Sequence, residues 1–133
     1  MFIIGLVGGT EVERDAVAAA FNQLDKATLG VFPLRHPVNG KERAKLLDAV
    51  IIKYYNRKFS GKGLVLSHIK TPEEAELVAA KGGVLMHIDG MPSSCIAIQR
   101  NDLMVTAKSN GDRHYLGPLE ALSEVITRHI RVM

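Results

Sequence analysis

The chain has 133 residues, 47% hydrophobic and 23% charged, with a formal net charge of +3. That length allows one domain with a substantial core, and the charge is too small to mark a nucleic-acid binder by itself. The one cysteine, Cys95, excludes an internal disulfide and a cysteine-based zinc cage, and no apolar run approaches the ~20 residues of a membrane span.

Residues 2–7 form a continuous apolar run, as expected of a parallel strand covered on both faces. Gly8 and Gly9 then make a tight turn into a helix expected from about Glu13 to Leu24, with Val17, Ala20, Phe21 and Leu24 on one face. A short strand is expected over 29–34, stopped by Arg35-His36-Pro37. A longer amphipathic helix is expected over 41–59, presenting Leu47, Val50, Ile51 and Tyr54 and ending at the Gly61-Lys62-Gly63 turn. Leu64 to His68 reads as the second buried strand. Thr71-Pro72-Glu73-Glu74 starts a helix, with Thr71 as N-cap and Glu74 closing a capping box. That helix ends at Gly82-Gly83, and a strand follows over 84–88. Further strands are expected over 103–107 and, more weakly patterned, over 95–98, with Cys95 as a buried small residue. Gly117-Pro118 opens a last helix, whose stripe is Leu119, Leu122, Ile126 and Ile130. Alternation of this kind implies one α/β domain spanning 1–133, a three-layer sandwich on a mainly parallel sheet. The start of the chain has no basic segment and no small-residue cleavage site, so no signal peptide and a cytoplasmic setting are expected.

The strand, glycine turn and helix at the start have the architecture of a phosphate-binding loop, G-x-x-x-x-G-K-[ST], whose backbone N–H groups wrap a phosphate. Counting from Gly8, Glu13 stands at the second glycine and Arg14 at the lysine. Glu11 and Glu13 fall where a nucleotide would bring its own charge. Like charges ~4 Å apart near a surface repel by roughly 4 kcal/mol, as much as a millimolar ligand gains on binding. Thr10 and the Gly8-Gly9 backbone still offer donors at a helix N-terminus, and Arg14 keeps a positive charge with the wrong shape for a point-like ammonium. In the simpler reading the two carboxylates meet the helix dipole and take the phosphate's place.

His68 closes a central strand at the edge where open α/β sheets collect ligands. It reads as a hydrogen-bonded structural residue, or else as a general base or anion contact. It does not replace a hard carboxylate for magnesium. His36, His87, His114 and His129 lack metal-ligand spacing, so no metal site is expected. Basic residues cluster over 41–62, and Arg43, Lys53, Tyr55, Arg57 and Lys58 define a candidate partner surface.

The run Gly5-Leu6-Val7-Gly8 through Arg14-Asp15-Ala16-Val17-Ala18 resembles the loop of bacteriophage-type deoxynucleoside monophosphate kinases, in which Asp follows the lysine. Val65-Leu66-Ser67-His68-Ile69-Lys70-Thr71-Pro72-Glu73-Glu74, followed by Gly82-Gly83-Val84, is similar to that family's strand–loop–helix segment. There the family carries an acidic residue and an arginine at the positions of His68 and Lys70. The rhythm continues through Asp102 to Val105, Asn110-Gly111 and Leu119 to Leu122. The resemblance covers most of the chain, although Leu34 to Gly63 is too short for both a substrate insertion and a lid. It implies a five-stranded sheet with residues 2–7 between 64–68 and 84–88, and nucleotide or phosphate contacts at Gly8, Gly9, Thr10, Arg14, Asp15, His68 and Lys70. The expectation is a catalytically degenerate kinase relative that binds a protein partner or itself, without catalytic residues or cofactor. The alternatives are residual nucleotide binding or monophosphate kinase activity with ATP and magnesium, and nucleic-acid binding through the basic helix.

Overall fold

The computed structural model describes residues 2–24, 29–56, 63–91, 93–108 and 114–131. In chain order these form β1 (Phe2–Val7), α1 (Glu11–Leu24), β2 (Leu29–Phe32), α2 (Gly40–Asn56), β3 (Gly63–Ile69), α3 (Pro72–Ala80), β4 (Val84–Ile88), β5 (Leu103–Val105) and α4 (Pro118–Arg131). The strands make one five-stranded sheet, β2-β3-β1-β4-β5, in which every neighbouring pair is parallel.

Every residue of β1 and β3 is buried, which is why their sequences are apolar without alternation. On one face Val17 and Phe21 of α1, with Leu122 and Val125 of α4, pack against Ile4, Leu6, Val65 and Met86. On the other, Leu47 and Ile51 of α2 and Val78 of α3 pack against Ile3, Leu64, Leu66 and Leu85. The result is a three-layer α/β sandwich. β1 is central, between β3 and β4, as expected. Its Gly5 answers a close approach, since a Cβ there would lie 3.0 Å from the side chains of both Ile69 and Leu85.

Several local expectations change. The segment 95–98 is irregular, not a strand, and Cys95 is exposed, with its thiol donating to the Lys70 carbonyl at 3.2 Å. β2 stops at Phe32 and β5 at Val105. In α4 Leu119 is 55% exposed, and Ala121, Leu122 and Val125 carry the packing. In α1 Ala18 is buried while Ala20 is half-buried. The side chains of Leu24 and Ile130, the expected end of the second helix at Phe59, and Asn110-Gly111 lie outside the described residues.

Because all the strands are parallel, their C-terminal ends open on a single edge. The β1–α1 turn, the β2–α2 connection, the end of β3 and the segment after β4 all gather there. Open α/β sheets place ligands at this edge.

Candidate functional site

The β1–α1 turn holds Gly8 at φ 77° and Gly9 at φ 61°, left-handed values that glycine adopts without strain. The Gly9 N–H donates to the Met91 carbonyl at 2.7 Å, tying the turn to the segment after β4. Thr10 and Glu13 close a reciprocal capping box. The Thr10 N–H donates to Glu13 Oε1 at 3.0 Å, and the Glu13 N–H donates to Thr10 Oγ1 at 3.1 Å. The Glu13 carboxylate fills the space beside the turn, since a Cβ on Gly90 would stand 3.0 Å from its Oε1. The box is written in the sequence as Thr10-x-x-Glu13, at the positions that also align with a phosphate-loop pattern.

Arg14 is buried although it lies in the first turns of α1. Its Nη1 donates to the carbonyls of Gly8 at 2.7 Å and Gly9 at 3.2 Å, and its Nε donates to His68 Nδ1 at 3.2 Å. The turn thus presents carbonyl oxygens to an internal cation. With Nδ1 accepting, the His68 proton sits on Nε2. That nitrogen is 3.2 Å from Asp15 Oδ1 but off the hydrogen-bond direction, and it is buried without a hydrogen-bond partner. Asp15 Oδ2 in turn meets Arg35 Nη2 at 3.5 Å. Burial, and next the charge of Arg14, lower the His68 pKa, so the imidazole is neutral at pH 7. Burial also lowers the Arg14 pKa, against the nearby carboxylates of Glu11, Asp15 and Glu13. Lys70 Nζ donates to Glu11 Oε1 at 3.3 Å, and this bond holds the Glu11 pKa below its ordinary value.

The structure therefore brings Gly8, Gly9, Thr10, Arg14, Asp15, His68 and Lys70 together at one edge. Beside the turn lies an open hollow of about 260 Å³, whose lining includes Gly8, Gly9, Arg14, Lys70 and Cys95.

The basic-helix surface is corrected. Arg43 is 1% exposed and belongs to the interior. Its Nε donates to Glu74 Oε1 at 2.6 Å, Nη1 to the Pro37 carbonyl, and Nη2 to the carbonyls of Leu34 and His68. This cation satisfies the chain ends where β2 and β3 leave the sheet, a role that a basic run in sequence conceals. Glu74 changes role with it. Its Oε1 accepts from Arg43, from the Thr71 hydroxyl at 2.9 Å and from the Lys70 N–H at 3.2 Å, so Thr71 makes no side-chain cap to the helix. Lys53 is exposed, whereas the Tyr55 side chain, Arg57 and Lys58 lie outside the described residues.

The same edge carries apolar side chains that composition could not locate. Val12, Val38 and Met91 are 77%, 85% and 77% exposed, the highest values among the large hydrophobics described. Each follows the C-terminal end of a strand, respectively β1, β2 and β4.

Among the described residues no group of three or more His, Cys, Asp or Glu is placed to hold a metal ion, and no helix is long and apolar enough to cross a membrane. The chain matches no known family, and no curated protein is significantly similar to it.

Proposed function

We propose that this chain is a catalytically degenerate relative of (deoxy)nucleoside monophosphate kinases that works by binding a protein surface at the C-terminal edge of its sheet. The observation that carries the reading is Arg14 turned onto the Gly8 and Gly9 carbonyls, with Glu13 packed into the turn. Phosphoryl transfer needs backbone donors and a cation aimed at the phosphate, and oxygen ligands for magnesium. Here the loop carbonyls face a cation, the Thr10 N–H serves Glu13, Lys70 serves Glu11, and an uncharged histidine stands at the strand end. These residues do not fit a magnesium nucleotide. The exposed Val12, Val38 and Met91, set among the paired charges Glu11–Lys70 and Asp15–Arg35, instead resemble the apolar centre and polar rim of an interface.

Two measurements test this reading. A coupled ADP-release assay with magnesium ATP and the common nucleoside and deoxynucleoside monophosphates is expected to stay at background. Turnover of about 1–100 s⁻¹ would overturn the reading. A photo-crosslinking residue at Met91 is expected to capture protein adducts in the producing cell, including a second copy of the chain if that is the partner. The same residue at Ile52, an exposed position on α2 away from the edge, is expected to capture none. The reverse pattern contradicts the proposed surface.

A further inference from the structure

On the sheet face covered by α2 and α3, the irregular 95–102 segment borders a half-open hollow of about 580 Å³ that also reaches α3 and the start of β4. Its apolar wall is built by Ala75, Ala79, Leu85 and Ile96. It shares Cys95 with the smaller hollow beside the β1–α1 turn but none of that turn's own residues, and nothing in the function proposed above uses it. Its volume falls within the ~300–1,000 Å³ of small-molecule sites.

Four charged side chains line this hollow, and two are locked in position. Asp102 is 9% exposed, and its Oδ2 accepts from His87 Nε2 at 2.8 Å and from the Gln99 N–H at 2.9 Å. Arg128 donates from Nε to Glu124 Oε1 at 3.0 Å and from Nη1 to the Asn101 carbonyl at 2.8 Å, which sets the guanidinium beside the residue preceding Asp102. Two lining side chains of opposite charge are thus each held by bonds to neighbours, which reduces the ordering cost of binding. The other two, Glu76 on α3 and Arg100, are exposed, and neither has an ion-pair or hydrogen-bond partner among the described residues.

We propose that this hollow binds a small zwitterion with an apolar side chain, a free hydrophobic α-amino acid. The two lining charges without a partner among the described residues, Glu76 and Arg100, are of opposite sign. A fatty acid would leave Glu76 facing an apolar body or its own charge, and a simple amine would leave Arg100 unanswered, whereas Arg128 and Asp102 already meet Glu124 and His87. A zwitterion answers both signs, its ammonium on the Asp102 and Glu76 side and its carboxylate on Arg100 and Arg128. The side chain then covers the Ala75, Ala79, Leu85 and Ile96 wall. No bond is made or broken, so the site is one of recognition.

The test is calorimetric titration of the whole chain with L-leucine and L-phenylalanine, alongside N-acetyl-L-leucine and L-leucinamide, each of which lacks one of the two charges. Saturable binding of at least one free amino acid is expected, with both derivatives weaker by about tenfold or more, as loss of a charged hydrogen bond implies. Arg100→Ala is expected to weaken binding by a similar factor. Ala79→Leu, which fills the wall from an exposed position, is expected to abolish it. Circular dichroism of both variants should match the parent, since neither residue is in the core. Absence of saturation with both amino acids overturns the proposal, as do a derivative that binds as tightly as free leucine and unchanged binding in Ala79→Leu. None of these outcomes bears on the kinase assay or on the edge crosslink.

Discussion

The buried His68 imidazole makes stability depend on pH within a defined window. Arg14 Nε–H already points at His68 Nδ1, so protonating that nitrogen would set two donors against each other at 3.2 Å. Burial and the Arg14 charge lower the folded-state pKa, and the native protein binds fewer protons than the unfolded chain below about pH 6.5, the ordinary histidine value. Stability therefore rises with pH in that range. The His68 contribution is fully present above about pH 6.5 and is lost as pH falls from there through the folded value. One proton difference changes stability by at most about 1.4 kcal/mol per pH unit, a visible part of a typical 5–15 kcal/mol. Glu11 acts in the same direction, but only below its ordinary value of 4.5, so it stays outside the window. Urea unfolding followed by circular dichroism at pH 7.5, 6.5 and 5.5 would be compared with His68→Gln, which keeps an acceptor for Arg14 and removes the titration. Between pH 6.5 and 5.5 the parent should lose up to about 1 kcal/mol more than the variant, because the unfolded histidine is only half protonated at the upper end of that interval. Coincident slopes, or an imidazole resonance of His68 titrating at or above the ordinary value, would refute the reasoning.

Arg43→Met should cost about 3–5 kcal/mol in urea unfolding, because it leaves the buried Glu74 charge and three chain carbonyls without their donor. A loss below about 1 kcal/mol would show that solvent reaches the pair. Thr10→Ala should cost about 1 kcal/mol by the same assay through loss of the capping box; an unchanged midpoint would mean that Glu13 holds the turn alone. The double variant Glu13→Gly with Arg14→Lys restores the loop pattern, yet its ADP release should remain at background because His68 still supplies no magnesium carboxylate. Efficient turnover by that variant would contradict the role given to His68.

The fold was legible wherever burial writes a continuous pattern. The apolar runs of β1, β3 and β4 and the Leu47–Ile51 stripe of α2 could be read directly, because strands covered twice and helices covered once leave different periods. The edge of the sheet was legible only in part. Arg14 and His68 could be picked out as departures from a template, but their bond joins residues 54 positions apart, and no local spacing encodes it. Arg43 misled for a related reason. A basic residue in a basic run reads as solvated until the β2 and β3 ends and Glu74 converge on it. The two carboxylates of the first turn read alike in sequence, and their partition of labour was not visible. Glu13 fills the turn, whereas Glu11 reaches outward to Lys70. Val12, Val38 and Met91 are unremarkable as letters, and only the parallel topology places all three at one edge.

The proposed function depends most on a β1–α1 turn filled by the protein's own side chains. Amide resonances of Gly8, Gly9 and Thr10, followed while magnesium ATP is titrated into the millimolar range, test it directly. The account predicts no saturable shift at these positions. A saturable shift centred on them, lost in Arg14→Ala, would contradict it.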